Sequence, residues 1–160
     1  MKKLLVAYFS ASGVTADAAK KIAQAADADL YEIRPEIPYT EADLNWQDKQ
    51  SRSSVEMNDR SFRPAIADKD AKANEYDVIF LGFPIWWYTA PTIINTFLES
   101  YDLSGKTIIL FATSGSTGFD KAVSDLKVSV AESTVIKEGK LIHGKESAGE
   151  WKAWVDSLGL

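Results

Sequence analysis

A hydroxyl-rich turn at residues 10–15, read Ser-Ala-Ser-Gly-Val-Thr, carries the residue types best suited to chemistry. It follows an apolar run and leads into a segment with apolar residues at helical spacing, so it precedes a helix N-terminus. Backbone N–H groups there lack intrahelical partners and the helix dipole is positive. Hydroxyls of Ser10, Ser12 and Thr15 can add hydrogen bonds, and Gly13 permits close backbone approach. We predict a phosphate site that needs no lysine. The alternative is an ordinary helix N-cap turn.

The elements that position this turn alternate between strands and helices. The predicted strands are residues 4–9, 30–33, 76–83, 106–112 and 135–142. Helices are expected after residue 16, within 41–57, after Pro91, over 119–130 and over 150–158. Such alternation predicts a doubly wound α/β fold, with a parallel sheet and helices on both faces. Ligands bind such sheets beyond the strand C-termini. Loops 10–15, 84–88 and 113–118 follow the first, third and fourth strands, so we expect them to form one pocket.

Composition is that of one folded domain, predicted to span residues 1–160. The absence of cysteine excludes disulfides, thiolate metal sites and thiol catalysis. A net charge of −5 argues against a nucleic-acid partner, and the longest apolar runs are too short for a membrane span. We expect a cytoplasmic monomer. No metal site is predicted, since His143 is the only histidine.

Residues 34–76 form an unusually long polar connection, with Tyr39 and Trp46 among its aromatic residues. One interpretation is a solvated excursion from the fold. The other is a cover over a ligand site, in which Trp46 or Tyr39 contacts the ligand. The sequence leaves both open.

The chain resembles flavodoxins, in particular the flavodoxin-like family with a Pro-Ile-Trp-Trp segment. The resemblance rests on residues 8–15, 76–79 with 82–87, Pro91 with 97–99, and 104–106 with 111–115. It implies a flavodoxin-like three-layer fold, with a five-stranded parallel sheet of order 2-1-3-4-5, and one non-covalently bound FMN.

The resemblance also implies which residues bind the cofactor. It assigns the FMN phosphate to Ser10, Ser12, Gly13, Val14, Thr15 and Ala16. It assigns the isoalloxazine ring to Pro84, Ile85, Trp86, Trp87 and Tyr88, with Thr113, Ser114, Gly115, Ser116 and Gly118 along its polar edge.

Physical chemistry supports an aromatic wall for a flavin, because indole stacks on a flat, electron-poor ring and excludes water. Neighbouring residues of an extended loop point in opposite directions, so one tryptophan should face the ring; we predict Trp87. The alternative is that Trp86 and Trp87 are both core residues. Loop 113–118 either hydrogen-bonds the flavin or is a flexible surface loop. The ring's second face is covered by Trp46, Tyr39 or Phe119, or stays open.

Three functions are compatible with the sequence. The first is a flavodoxin-type electron carrier that cycles FMN through one-electron redox states, uses no catalytic residue, and exchanges electrons with a reductase and an acceptor protein. The second is an FMN-dependent NAD(P)H:quinone or other acceptor oxidoreductase, in which Arg52, Arg60 and Arg63 contact a phosphate. The third is a non-redox binding module with the same fold.

Overall fold

The computed structural model describes residues 2–11, 13–113 and 118–160. Its five strands, in chain order, are β1 Leu4–Tyr8, β2 Asp29–Glu32, β3 Val78–Pro84, β4 Thr107–Thr113 and β5 Val135–Ile142. The helices are α1 Val14–Ala26, α2 Arg52–Met57, α3 Thr92–Glu99, α4 Asp120–Lys127 and α5 Ala148–Ser157. A short 3-10 turn, Ala73–Glu75, precedes β3. Across the described ranges, no helix has the length and apolarity that crossing a membrane requires.

The strands form one parallel sheet in the order β2-β1-β3-β4-β5, which confirms the predicted flavodoxin-like topology. Alternate residues of the central strands point to opposite faces, so each face has its own core. One core joins the sheet to α3 and α4, through Leu81, Phe83, Ile94, Phe97 and Leu126. The other joins it to α1 and α5, through Val6, Phe80, Ile22, Trp151 and Val155. Helices therefore cover both faces in three layers.

Central strands β1, β3 and β4 are buried almost throughout, as their continuous apolar sequences predict. Gly82 in β3 lies opposite Phe111 in β4, and a Cβ atom at Gly82 would stand 2.2 Å from the Phe111 ring. The phenyl ring thus occupies the space that any other residue at position 82 would need.

The predicted helix over 41–57 is wrong for its first two turns. Only Arg52–Met57 is α-helical, while residues 41–50 form successive turns. The side chains of Asp43, Asn45 and Asp48 accept hydrogen bonds from backbone N–H groups at residues 40, 47 and 50. Short polar side chains of this kind compete with helical hydrogen bonding, which explains the difference.

Candidate functional site

Strand pairing brings the three predicted loops to one edge of the sheet. Tyr8 at the end of β1 pairs with Gly82 in β3, and Pro84 at the end of β3 pairs with Thr113 at the end of β4. The main chain continues this contact, because Ile85 donates its N–H to the Thr113 carbonyl at 2.9 Å. The ends of β1, β3 and β4, from which these loops leave, are therefore neighbours at the carboxyl edge, where such folds bind ligands.

The loop after β1 is organised around the Ser10 hydroxyl. Ser10 Oγ accepts hydrogen bonds from the backbone N–H of Gly13 at 3.0 Å and of Ala16 at 3.3 Å. Neither bond uses the hydroxyl hydrogen, which can be donated to an anion. Gly13 has φ +95°, and nothing lies within 4 Å of a Cβ atom built on it. Helix α1 begins at the next residue, so its positive end points into this loop.

The remaining predicted phosphate ligands lie at the same helix start. Thr15 is buried, Ala16 is half-buried and the Val14 side chain is 41% exposed. Ser12 lies outside the described residues. The loop fits a phosphate group: it has a helix N-terminus, open space at a glycine and a hydroxyl donor.

The loop after β3 is a tight turn rather than the expected extended segment. Trp86 donates its N–H to the Thr89 carbonyl at 2.9 Å, and Thr89 donates to the Trp86 carbonyl at 3.0 Å. Both central residues have positive φ, 48° at Trp87 and 69° at Tyr88, as in type I′ turns, where Asn and Gly are preferred. For bulky residues this conformation costs roughly 1–3 kcal/mol each. We call residues 86–89 the aromatic turn.

The side chains of Trp86 and Trp87 differ in environment because the backbone turns at Trp87 and Tyr88, not because the segment is extended. The Trp86 ring packs edge-on against Phe9 at 5.7 Å and Tyr39 at 5.6 Å between ring centroids. Trp87 is half-buried, and Tyr88 is 69% exposed at the tip of the turn. Trp86 is half-buried as well, so exposure does not distinguish the two indoles, and the ring-facing role of Trp87 stays a prediction. Pro84 and Ile85, both half-buried, lead from β3 into the turn.

Tyr39 is fixed by two charged side chains of the long connection. Its hydroxyl donates to the Glu56 carboxylate, and the Arg52 guanidinium lies 3.8 Å from its ring centroid. Arg52 Nε in turn contacts Glu56 at 3.0 Å. Burial, followed by the hydrogen bond to Glu56, raises the pKa of Tyr39, so the phenol stays protonated at neutral pH. Tyr39 is therefore a packing partner of Trp86.

The three arginines expected to contact a phosphate are engaged within the protein. Arg52 pairs with Glu56, Arg63 Nε contacts a carboxylate oxygen of Glu99 at 2.9 Å, and Arg60 hydrogen-bonds the Ala90 carbonyl at 2.9 Å. Glu56 lies in the long connection itself, whereas Ala90 precedes α3 and Glu99 ends it.

The residues predicted to cover the second face of the flavin ring differ in exposure. Phe119 is buried at 4% exposure in the core under α4, whereas Trp46 is 69% exposed. Trp46 and Trp87 line a common cavity of about 620 Å³, together with Gln47, Lys49, Ser54 and Asn58. No sequence signal identified those four polar residues as neighbours of the aromatic turn. The long connection thus reaches the site through Trp46 and through Tyr39.

The loop after β4 is described only at its ends. Thr113 closes β4 beside Pro84, and Gly118 is exposed, with nothing within 4 Å of an added Cβ atom. The predicted ligands Ser114, Gly115 and Ser116 lie outside the described residues. In the part of the chain that is described, no three His, Cys, Asp or Glu residues cluster as metal ligands would.

Solved structures with this architecture include close relatives. A flavoprotein from Bacteroides eggerthii DSM 20697 is 48% identical, with a TM-score of 0.90 over 100% of this chain and 99% of that chain. A flavoprotein from Lactobacillus acidophilus NCFM, solved in complex with FMN, is 25% identical, with a TM-score of 0.69 over 97% of this chain and 99% of that chain.

Curated relatives are more distant. The protein named FMN-dependent NADH:quinone oxidoreductase 4 from Bacillus anthracis is 28% identical over 117 residues, which is 71% of this chain. The match covers 53% of that relative, so the chain spans about half the length of the curated relatives it matches. The model of the family described as Flavodoxin matches residues 3–158. With this match and the 2-1-3-4-5 sheet, the chain belongs to the flavodoxin family.

Proposed function

We propose that this chain binds FMN non-covalently and acts as a flavodoxin-type electron carrier. The observation that carries the proposal is the placement of the Ser10 loop and the aromatic turn at adjacent strand ends. One offers amide and hydroxyl donors for a phosphate, and the other offers an indole for a flat ring. FMN is the cofactor of choice because the Lactobacillus acidophilus flavoprotein was solved with it.

FMN supplies the redox chemistry, and the protein supplies binding, orientation and electrostatics. The hydroxyl of Ser10 and the amides around Gly13 would hold the phosphate. Trp87 would stack on the ring and exclude water from its face. The net charge of −5 disfavours added negative charge on the flavin and so lowers its reduction potential. Residues 114–116 and Gly118 remain the predicted ligands of the polar ring edge. Electrons come from a reductase and go to an acceptor protein.

Stepwise anaerobic reduction of the FMN-loaded chain, followed by its visible spectrum, tests the carrier function. We expect two resolved one-electron steps. A single concerted two-electron step would refute the carrier proposal, and a colourless chain that cannot be reconstituted with FMN would favour the non-redox module.

A matched pair of variants tests the ring site. Trp87→Ala should weaken FMN binding about tenfold, because stacking on an aromatic side chain contributes on the order of 1 kcal/mol beyond area burial. Val128→Ala is the control. Val128 is 75% exposed at the end of α4, the end remote from the carboxyl edge of the sheet. Equal FMN affinity in both variants would remove Trp87 from the site.

A second candidate is an FMN-dependent NAD(P)H:quinone or other acceptor oxidoreductase. The names of the curated Bacillus relatives favour it, as does the cavity between Trp46 and Trp87. An aromatic substrate would enter this cavity beside the ring, and Lys49 would take the role first given to the three arginines. NADH oxidation with benzoquinone should then exceed the rate with free FMN and fall in Trp46→Ala. No oxidation above the free-FMN rate would exclude this candidate.

A further inference from the structure

The aromatic turn needs restraint from outside, because its conformation is unfavourable for its own residues. Trp87 and Tyr88 both have positive φ without being glycine or asparagine. The two backbone hydrogen bonds between Trp86 and Thr89 close the turn. A sequence of this kind would open unless contacts at its ends held it closed.

At the C-terminal end of the turn, Thr89 is tied to α4. Its hydroxyl donates to Asp125 Oδ2 at 2.6 Å, and Thr89 is 1% exposed. The same carboxylate oxygen lies 3.0 Å from Lys121 Nζ and 3.7 Å from Arg60 Nε. Burial alone would raise the pKa of Asp125, but the Thr89 hydrogen bond and the two cations outweigh it and lower the pKa. Asp125 is therefore an ionised acceptor at neutral pH.

Arg60 ties the next residue to the same group. One of its nitrogens donates to the Ala90 carbonyl at 2.9 Å and another to Asn95 Oδ1 at 3.2 Å. Arg60 thus contacts Asp125, the chain directly after the aromatic turn, and the body of α3. Because Arg60 belongs to the long connection, that segment fixes the turn from this side, while Tyr39 packs against Trp86 on the other.

We infer that the Thr89–Asp125 hydrogen bond, braced by Arg60, is a positioning device that keeps the aromatic turn in its strained, ligand-ready conformation. Thr89, Asp125 and Arg60 are positioning residues, since they act through the tryptophan. The link to flavin binding rests on the proposed function. That the hydrogen bond keeps the turn closed is independent of FMN, and it is tested on the full chain freed of FMN.

Hydrogen exchange of the Trp86 and Thr89 amides reports the turn directly, because these two N–H groups close it. In Thr89→Val, which keeps the branched shape and removes the hydroxyl, protection of both amides should fall about tenfold or more. Amides in α3 and β4 should keep their protection. Ser129→Ala is the matched control: Ser129 donates to Glu99 and accepts from Asn95 in the same polar cluster, but touches no turn residue.

A second variant separates strain from general damage. Adding Tyr88→Gly to Thr89→Val should restore part of the amide protection, because glycine adopts positive φ without cost and only Trp87 then remains in an unfavourable conformation. Unchanged protection in Thr89→Val, or an equal loss in Ser129→Ala, would overturn the inference. So would failure of Tyr88→Gly to restore protection.

Affinity for FMN gives the second readout. We expect Thr89→Val to weaken FMN binding in proportion to the loss of the closed fraction of the turn, because only that fraction is competent; a turn about nine-tenths open would bind about tenfold more weakly. If the parent chain bound no FMN while the exchange results held, the proposed function would fail and the positioning device would stand. If FMN bound equally to both chains despite an opened turn, the device would have no role in binding.

Discussion

Replacing Ser10 with alanine tests the phosphate loop with a single oxygen atom. The hydroxyl oxygen accepts two backbone hydrogen bonds, at 3.0 and 3.3 Å, from amides at the start of α1. Loss of these hydrogen bonds costs about 1 kcal/mol, so the FMN-free chain should lose about 2–4 °C in Tm. In the proposed FMN complex the same hydroxyl would donate to the phosphate, and a hydrogen bond to a charged group contributes roughly 1.5–3 kcal/mol. FMN affinity should therefore fall about 10- to 100-fold.

Two measurements on the same preparations check this. Thermal unfolding of the FMN-free chain gives Tm, and quenching of FMN fluorescence on titration gives the dissociation constant. Ser10→Thr is the control, because it keeps the hydroxyl and should leave both values near those of the parent. If Ser10→Ala matched Ser10→Thr in stability and in affinity, the hydroxyl would neither order the loop nor contact the phosphate.

Three further predictions concern the body of the protein. Gly82→Ala should lower the free energy of unfolding in urea by about 1–3 kcal/mol, because the new Cβ atom would stand 2.2 Å from the Phe111 ring. Adding Phe111→Leu to the same chain should recover part of this loss. Glu146→Gln should cost about 1–3 kcal/mol at pH 7, since the carboxylate accepts N–H bonds from residues 143–145. Burial would raise the pKa of Glu146, but these hydrogen bonds outweigh it and lower the pKa in the folded chain. The stability that the carboxylate contributes is therefore present above the pKa of the unfolded chain and is lost as the pH falls. The free energy of unfolding of the glutamine variant should fall less on acidification than that of the parent. Folding raises the pKa of five tyrosines, and the hydrogen bond to Asp29 raises that of Tyr76 to about 12; the five are Tyr8, Tyr31, Tyr39, Tyr76 and Tyr101. Above pH 10, the tyrosinate absorbance of the native chain should therefore be lower than that of the denatured chain. The free energy of unfolding should decline as the pH rises toward 12. Coincident native and denatured titration curves would contradict that assignment.

The parallel sheet could be predicted because it depends on signals local to the chain, whereas its strand order was predicted from the resemblance to flavodoxins. The apolar runs of β1, β3 and β4 are long and end at turn residues, and periodicity marks α1 and α5. Parallel crossovers then leave few arrangements. The convergence of three loops followed from this topology alone.

What could not be predicted depends on tertiary contacts or on competing local ones. Alternation along an extended loop was a sound premise for Trp86 and Trp87, but the backbone at 87 and 88 takes positive φ. No propensity of tryptophan or tyrosine favours that conformation, so only the surrounding contacts could impose it. Arg60 and Arg63 looked free for a ligand because their carboxylate partners, Asp125 and Glu99, are distant in sequence. The partner of Arg52, Glu56, lies only four residues away and could have been found from helical spacing.

The long connection differs from a tolerated surface insertion in what its removal would do. Tyr39 of this segment packs against Trp86, the first residue of the aromatic turn, and Arg60 donates a hydrogen bond to the carbonyl of Ala90, directly after the turn. Shortening the segment to an ordinary crossover would remove both contacts, and we expect it to disorganise the carboxyl edge of the sheet. The segment also adds Ala71 and Ala73 to the core beneath α3 and α4, so the shortened chain is expected to lose stability together with its affinity for FMN.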